Sequence, residues 1–391
     1  MKITAVKQWV AEFGYYNAHY VRIETDDGVV GESEVGMRRR SRTVAALIEE
    51  LGEYLVGKDP TRIEQHSERL YRDSFLGGTL LTIGISALDN ALWDLNGRAL
   101  GVPVHRLLGG KFRDAVPVYT HARATETPES FAAEIRDRLD KGFSAIKTTL
   151  PAFYTKVSSV HHDVPAAIPA RLTETEALPN WVWPLIAEYF EAARAEAGPD
   201  VKFMLDCHGR LNVANALKLA ETLEPFGLTF IEEPVPYERA DWMREVAARS
   251  TTPIASGERW ANHYGAAPFL EQRAVSVAQP DVAWCGGITA AKKIATLAET
   301  QGISMAFHNP FGPLASAATW HLAATLPNFL ISESMITPEQ MVFWDRYTEN
   351  PPQVRDGHWH VTETPGLGTR LRVEEIKKFP PRYDYDRNGT R

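Results

Sequence analysis

The stretch Lys202-Phe203-Met204-Leu205-Asp206, followed by Thr229-Phe230-Ile231-Glu232-Glu233 and Pro253-Ile254-Ala255-Ser256-Gly257-Glu258, is one pattern written three times. Each time a short apolar, strand-like run ends on an acid, and Asp206, Glu232 and Glu258 follow one another at intervals of 26 residues. A strand, a loop and a helix of a (β/α)₈ barrel consume about that length, since roughly 250 residues are shared among eight units. Carboxylates at the C-terminal ends of three neighbouring parallel strands converge on one face. Hard divalent cations take oxygen ligands, and Mg²⁺ uses a few carboxylates while keeping positions open for water and substrate. A lone acid at a strand end reads as a helix cap or surface charge. Three at a repeated interval predict a Mg²⁺ site, with Asp206, Glu232 and Glu258 as ligands.

From residue 116 onward the chain alternates strand and helix patterns. Eight strand candidates end at His121, Thr149, Asp206, Glu232, Glu258, Asp281, His308 and Glu333, and helical periodicity occupies, among others, residues 129–141, 213–223, 290–300 and 315–326. Only the step from Thr149 to Asp206 is long, by about 30 residues, which places an insertion at 151–180 on the face where barrel active sites lie. It carries Phe153, Tyr154, His161 and His162. A lid over the site and a mobile loop or subunit contact are both open readings, and the two histidines read as solvated.

The region before residue 116 is different in kind. Residues 3–13, 20–25 and 29–34 carry strand-type side chains, with Asp26-Asp27-Gly28 as turn chemistry, and three helical patterns follow at 42–55, 61–75 and 82–100. This predicts an α+β domain over 1–115 in front of a barrel over 116–345, with 346–391 as a C-terminal segment. A chain of 391 residues fits a barrel with an attachment. Hydrophobic content of 44% and charged content of 24% are those of a soluble globular protein, and no apolar run of membrane-spanning length occurs. The start, MKITAVKQWV, lacks a secretory pattern and two cysteines, Cys207 and Cys285, supply no disulfide framework, so a cytoplasmic protein is expected. A net charge of −8 argues against nucleic acid as a partner.

Further groups with chemistry sit near the same strand ends. His208 lies two residues beyond Asp206, so strand alternation predicts that both point the same way. Asp281 and His308 end adjacent strand candidates, and a carboxylate beside an imidazole fixes its tautomer and raises its basicity, as a general base requires. Glu333 ends the eighth strand candidate, where it could hydrogen-bond a substrate carboxylate. Lys147 points toward the rim from the second.

These residues, with Asp206-Cys207-His208-Gly209-Arg210, Ile231-Glu232-Glu233-Pro234, Gly257-Glu258-Arg259, Gln279-Pro280-Asp281-Val282, Gly286-Gly287-Ile288-Thr289 and Phe307-His308-Asn309-Pro310-Phe311-Gly312, carry a family resemblance. The chain resembles the enolase superfamily, in its mandelate-racemase-like branch, and within it the D-galactonate and D-gluconate dehydratases. The resemblance implies a modified TIM barrel without its last regular helix, capped by the N-terminal α+β domain, to which the C-terminal segment returns. It implies a specificity loop at residues 13–19, with Tyr16 and His19 binding substrate alongside Lys147 and Arg210. It also implies a Mg²⁺-dependent dehydratase of a small sugar-acid carboxylate, and a homo-oligomer. In that reading His308, oriented by Asp281, takes the proton α to the carboxylate, His208 protonates the departing 3-hydroxyl and Glu333 assists at the carboxylate. Many members carry Lys-x-Lys on the second strand, whereas this chain has Lys147-Thr148-Thr149. A racemase or epimerase, which needs bases on both faces, is the alternative activity; a non-catalytic acid-sugar binder is the alternative class.

Overall fold

The computed structural model describes residues 1–383 apart from 15, 38–39, 73–74, 76, 155–156, 159–162, 165–167, 169–176 and 336–337. Three antiparallel strands open the chain: β1 (Ile3–Phe13), β2 (Tyr16–Thr25) and β3 (Val30–Glu34), in that spatial order. Helices α1 (Ser41–Leu55), α2 (Ile63–Arg72) and α3 (Thr79–Leu100) pack on this sheet around Val21, Ile23, Val44, Ile48, Leu88 and Leu92. α3 ends where Gly101 takes the left-handed conformation that a Cβ disfavours.

The second unit is a closed parallel barrel. Its first strands are β4 (Ala115–His121) and β5 (Ala145–Thr149); the insertion after β5 contains the short pair β6 (Val157–Ser158) and β7 (Asp163–Val164). Then come β8 (Lys202–Asp206), β9 (Phe230–Glu232), β10 (Ile254–Ser256), β11 (Val277–Ala278), β12 (Ser304–Phe307) and β13 (Phe329–Glu333). Apart from β6 and β7, each strand from β4 to β13 pairs with the next, and β13 pairs in parallel with β4 to close the ring. The expected order of barrel strands is the observed one. β10, β11 and β12 stop short of the expected ends, although Asp281 and His308 still pair through an isolated parallel bridge.

One side chain from each barrel strand fills the interior: Tyr119, Ala145, Met204, Phe230, Ala255, Val277, Ala306 and Ile331, large beside small. Inward positions recur every second residue along a strand. Two residues further along stand His121, Lys147, Asp206, Glu232, Gly257, Gln279, His308 and Glu333. The apolar plug is therefore the floor on which a polar ring rests.

The helix after β13, Pro338–Tyr347, leaves the barrel wall: Phe343 and Tyr347 pack on Phe13 at centroid distances of 4.9 and 6.1 Å. The residues that follow pair antiparallel with the start of β4 through His358–His360. They then return to the N-terminal sheet, where Leu371 N–H donates to Glu32 at 3.0 Å and Arg382 N–H to Asn17 at 2.9 Å. No helix among the described residues is long and apolar enough to cross a membrane.

The two units are joined by hydrogen bonds that each lacks alone. The barrel helix Gly287–Thr300 begins without a cap of its own. α3 supplies one: Ser86 Oγ accepts from Gly286 and Gly287 N–H at 2.8 and 2.9 Å, Asn90 from Ile288 at 3.0 Å and Asp89 from Thr289 at 3.0 Å. Glu34 at the end of β3 likewise accepts from Gly312 N–H at 2.9 Å, at the start of the helix Pro313–Ala323. Asp89→Ala strands a buried donor and is expected to lower stability by about 1–3 kcal/mol. An unchanged denaturation midpoint would show this cap to be dispensable.

Candidate functional site

Asp206 and Glu232 lie side by side in the β8–β9 register. Glu258 reaches them by another route. Position 257 continues the inward row of β10, but a Cβ there would stand 2.8 Å from the Gln279 backbone nitrogen, and the backbone takes φ +146°. Only glycine fits, and the acid comes from the next residue. Ligand atoms of Asp206, Glu232 and Glu258 all lie within 4.8 Å of one another.

Beneath the three acids lies Lys147, 1% exposed, its Nζ 2.7 Å from Glu232 Oε2, 3.8 Å from Asp206 and 3.9 Å from Glu333. Burial works against the ammonium, but Glu232, Glu333 and Asp206 outweigh it and hold it protonated. Gln279 donates to the same Glu232 oxygen at 2.9 Å. The other, Glu232 Oε1, is buried with no hydrogen-bond partner among the described residues. Burial pushes the Glu232 carboxyl up to about 7, with Asp206 adding to the rise and Lys147 opposing it, and pushes Asp206 up to about 6 against Lys147. Glu258 goes the other way: burial raises it, but His308, Arg259 and His208 together bring it below its usual range. Three converging carboxylates, one with an orphaned oxygen, have the donor chemistry of a divalent-cation site.

His308 stands beside the triad at the end of β12. Its Nδ1 is 2.6 Å from Asp281 Oδ2 and its Nε2 3.1 Å from Glu258. Asp281 is itself fixed by Ala283 N–H at 2.7 Å. Burial disfavours a charged imidazole, yet Glu258, Glu333 and Asp281 raise His308 to about 10. Trp284 lies 5.2 Å from the His308 ring, and its indole N–H donates to Gly36 of the N-terminal domain.

His208 lies across the triad. Strand alternation does not place it: β8 ends at Asp206, and His208 takes φ +51°, turned back by its own N–H onto Asp206 Oδ1 at 2.9 Å. Its Nε2 is 3.1 Å from Asp206 Oδ2, and its Nδ1 2.5 Å from the Tyr154 hydroxyl. Burial lowers its pKa. Glu333 accepts from Asn309 N–H at 2.8 Å and contacts His121 Nε2 at 2.5 Å. Burial opposes its charge, but Lys147, His308 and His121 hold it well below the usual carboxylate range.

A cavity of about 450 Å³ opens over these groups, lined by Lys147, Asp206, His208, Glu258, His308 and Glu333 among others, with Met37 as the N-terminal domain's contribution. Arg210 is not in that lining; its guanidinium lies 4.2 Å over the Tyr154 ring. Nor are Tyr16 and His19. Residues 13–19 are not one loop, because β1 runs to Phe13 and β2 starts at Tyr16, and Phe13 pairs with Tyr16. Tyr16 packs on Phe13 at 5.0 Å, and His19, fully buried, bonds Gln8 at 2.9 Å. His161 and His162 lie outside the described residues. His121 and Gln279 were not singled out by the sequence reading, although both occupy the inward position that yields Asp206 and Glu232. Tyr154 has no such signature, since it stands in the insertion.

The family model for the enolase C-terminal domain-like fold matches residues 130–376, and that for the mandelate racemase / muconate lactonizing enzyme N-terminal domain matches 14–109. The chain is 36% identical to a D-galactonate dehydratase of Klebsiella pneumoniae, over 96% of this chain and 94% of that one. It is 34% identical to a D-galactonate dehydratase of Pectobacterium atrosepticum, over 91% and 89%. A crystal structure of a member of the enolase superfamily from Salmonella Typhimurium superposes with a TM-score of 0.87 at 28% identity, covering 97% of this chain and 98% of that one. A mandelate racemase/muconate lactonizing enzyme from Jannaschia sp. CCS1 gives 0.87 at 27%, covering 98% of each.

Lys147 is the buried countercharge to the acids, so Lys147→Met is expected to destabilise the metal-free protein by about 3–5 kcal/mol. Added Mg²⁺ should restore much of the loss by replacing the missing charge. Thermal denaturation with and without the ion checks this; equal melting of variant and wild type without metal would contradict it.

Proposed function

Because this chain belongs to the enolase superfamily, in its mandelate racemase and muconate lactonizing enzyme branch, we propose that it dehydrates a sugar acid, an aldonate of the galactonate or gluconate type, to a 2-keto-3-deoxy acid. The observation that carries this reading is the unlike pair of imidazoles on the two sides of the acid triad. His308 has a carboxylate behind its Nδ1, and His208 has a phenol. Elimination of water needs such a pair, one group to take a proton and another to give one. The relatives named D-galactonate dehydratase support the same chemistry.

Asp206, Glu232 and Glu258 would hold Mg²⁺. When bound, it would supply positive charge beside the substrate carboxylate, a pattern established for enolase-superfamily sites. Once the triad's negative charge is balanced, Glu258 no longer sustains a proton on His308. Asp281 keeps the His308 proton on Nδ1, which leaves Nε2 to take the proton from the carbon α to the carboxylate. His208 Nε2 gives a proton to the 3-hydroxyl, which leaves as water. Lys147 and Glu333, locked by His121 and the Asn309 N–H, orient the substrate carboxylate.

Incubating the Mg²⁺-loaded protein with a panel of aldonic and aldaric acids should give a 2-keto-3-deoxy product from at least one. Chelation should abolish the activity and Mg²⁺ restore it. His308→Asn should abolish both turnover and exchange of the α-hydrogen in deuterated water. His208→Asn should lower kcat by about 10²–10⁴-fold, while the recovered substrate still gains deuterium with unchanged configuration. Recovery of the 2-epimer from wild type would establish a racemase instead. A silent panel with substrate-like acids still bound would establish a binding protein.

A further inference from the structure

Each acid of the triad has one oxygen already held by a donor outside the pair of catalytic imidazole rings. Asp206 Oδ1 accepts from the His208 backbone N–H at 2.9 Å, and Glu232 Oε2 from Lys147 Nζ at 2.7 Å and Gln279 at 2.9 Å. Glu258 Oε1 accepts from Arg259 Nε at 3.0 Å. Of the remaining oxygens, Glu232 Oε1 has no partner among the described residues, and Asp206 Oδ2 and Glu258 Oε2 stand 3.1 Å from the imidazoles of His208 and His308. The triad thus offers a cation three single oxygens. At Glu258 the oxygen is withheld by a side chain to which the proposed reaction gives no part.

Arg259 is itself clamped. Its Nη2 stands 3.3 Å from Glu233 Oε2, its guanidinium lies 5.0 Å over the Tyr237 ring, and its carbonyl accepts from Thr79 at the start of α3 at 3.4 Å. In an extended strand Glu233 would point away from the barrel interior. It takes φ +38° instead, and its buried carboxylate meets the guanidinium. A guanidinium is planar and permanently charged, so one fork ties Glu258 to Glu233 in a single geometry. We infer that Arg259 is a positioning residue that acts through Glu258: by holding Oε1 it confines this ligand to one oxygen, and so makes the triad select a small octahedral cation of the Mg²⁺ type over Ca²⁺. Ca²⁺ takes about 6–8 oxygens and accepts a carboxylate through both at once, whereas Mg²⁺ uses few, well-placed protein ligands and keeps its waters. By charge alone Arg259 would weaken the binding of any cation, since it repels whatever approaches the triad. Its effect through geometry on Mg²⁺ has the opposite sign, which makes the two separable.

This inference rests on the triad holding the cation, and calorimetric titration of the metal-stripped protein with MgCl₂ or CaCl₂, without substrate, judges the two in turn. Wild type that takes up neither ion would overturn the metal site and the role of Arg259 with it. Arg259→Met should lower Mg²⁺ affinity by about 10–100-fold while Ca²⁺ affinity holds or rises, because the freed Glu258 can chelate through both oxygens. The double variant Arg259→Met/Glu233→Gln removes the partner charge as well, so it keeps the local charge balance and leaves no unpaired buried carboxylate. It should show the same shift of preference toward Ca²⁺. Affinity for both ions that rises would make Arg259 a charge only, and affinity for both that falls by one factor would make it a support of the fold only; either overturns the proposal. Infrared difference spectra of wild type on adding Mg²⁺ should show widely split carboxylate stretches, the mark of single-oxygen ligands. A narrowly split, chelate-type band would overturn the proposal even where neither variant folds.

Discussion

A single buried ammonium makes the barrel mouth possible. Asp206, Glu232, Glu258 and Glu333 converge at the top of an apolar plug, where their mutual repulsion and desolvation oppose folding. Lys147, rising from the floor of the same ring, is the fixed positive charge that lets Glu232 and Glu333 stand inside the barrel. It is too deep and too firmly paired to act as a base, which in the proposed reaction leaves proton transfer to the two imidazoles. The residual negative charge of the triad, with an orphaned Glu232 oxygen, is what a divalent cation would complete.

The fold was legible because barrel strands are short, parallel and buried, and because their last inward residues carry unlike chemistry. The 26-residue interval located Asp206, Glu232 and Glu258 even though Glu258 arrives by way of a glycine two residues beyond its strand. His121 and Gln279 obey the inward rule too, two residues above Tyr119 and Val277, but neither shares the acidic chemistry that marks the 26-residue repeat. The stretch 13–19 holds strand in the structure, the end of β1 and the start of β2. Phe13-Gly14-Tyr15-Tyr16 has no Asn-Gly or Asp-Gly to announce a hairpin; Tyr16 packs with Phe13 in the cluster that continues into the barrel, and His19 bonds Gln8. Tyr154 was beyond reach for another reason. Its place beside His208 depends on the path of an insertion that no periodicity governs.

The N-terminal domain contributes to the site mostly at one remove. Met37 touches the cavity, and Trp284, bonded to Gly36, packs against His308. Through Ser86, Asp89 and Asn90 the same domain holds the start of the helix that follows the Asp281 loop. The His308–Asp281 pair is thus steadied from outside the barrel that carries it.

The trans-domain caps and the returning C-terminal segment also govern the order in which the chain can assemble on the ribosome. Ser86 waits for residue 286, Glu32 for Leu371 and Asn17 for Arg382. The first domain to be synthesised is thus the last to be completed, and for most of translation α3 presents buried-type polar groups with nothing to bond. Contacts spanning some 200 to 365 residues cannot form until the later partner has been synthesised, so completion of the first domain waits on translation. Until then the polar face of α3 carrying Ser86, Asp89 and Asn90 stands without its partners, while Leu88 and Leu92 are already covered within the first domain.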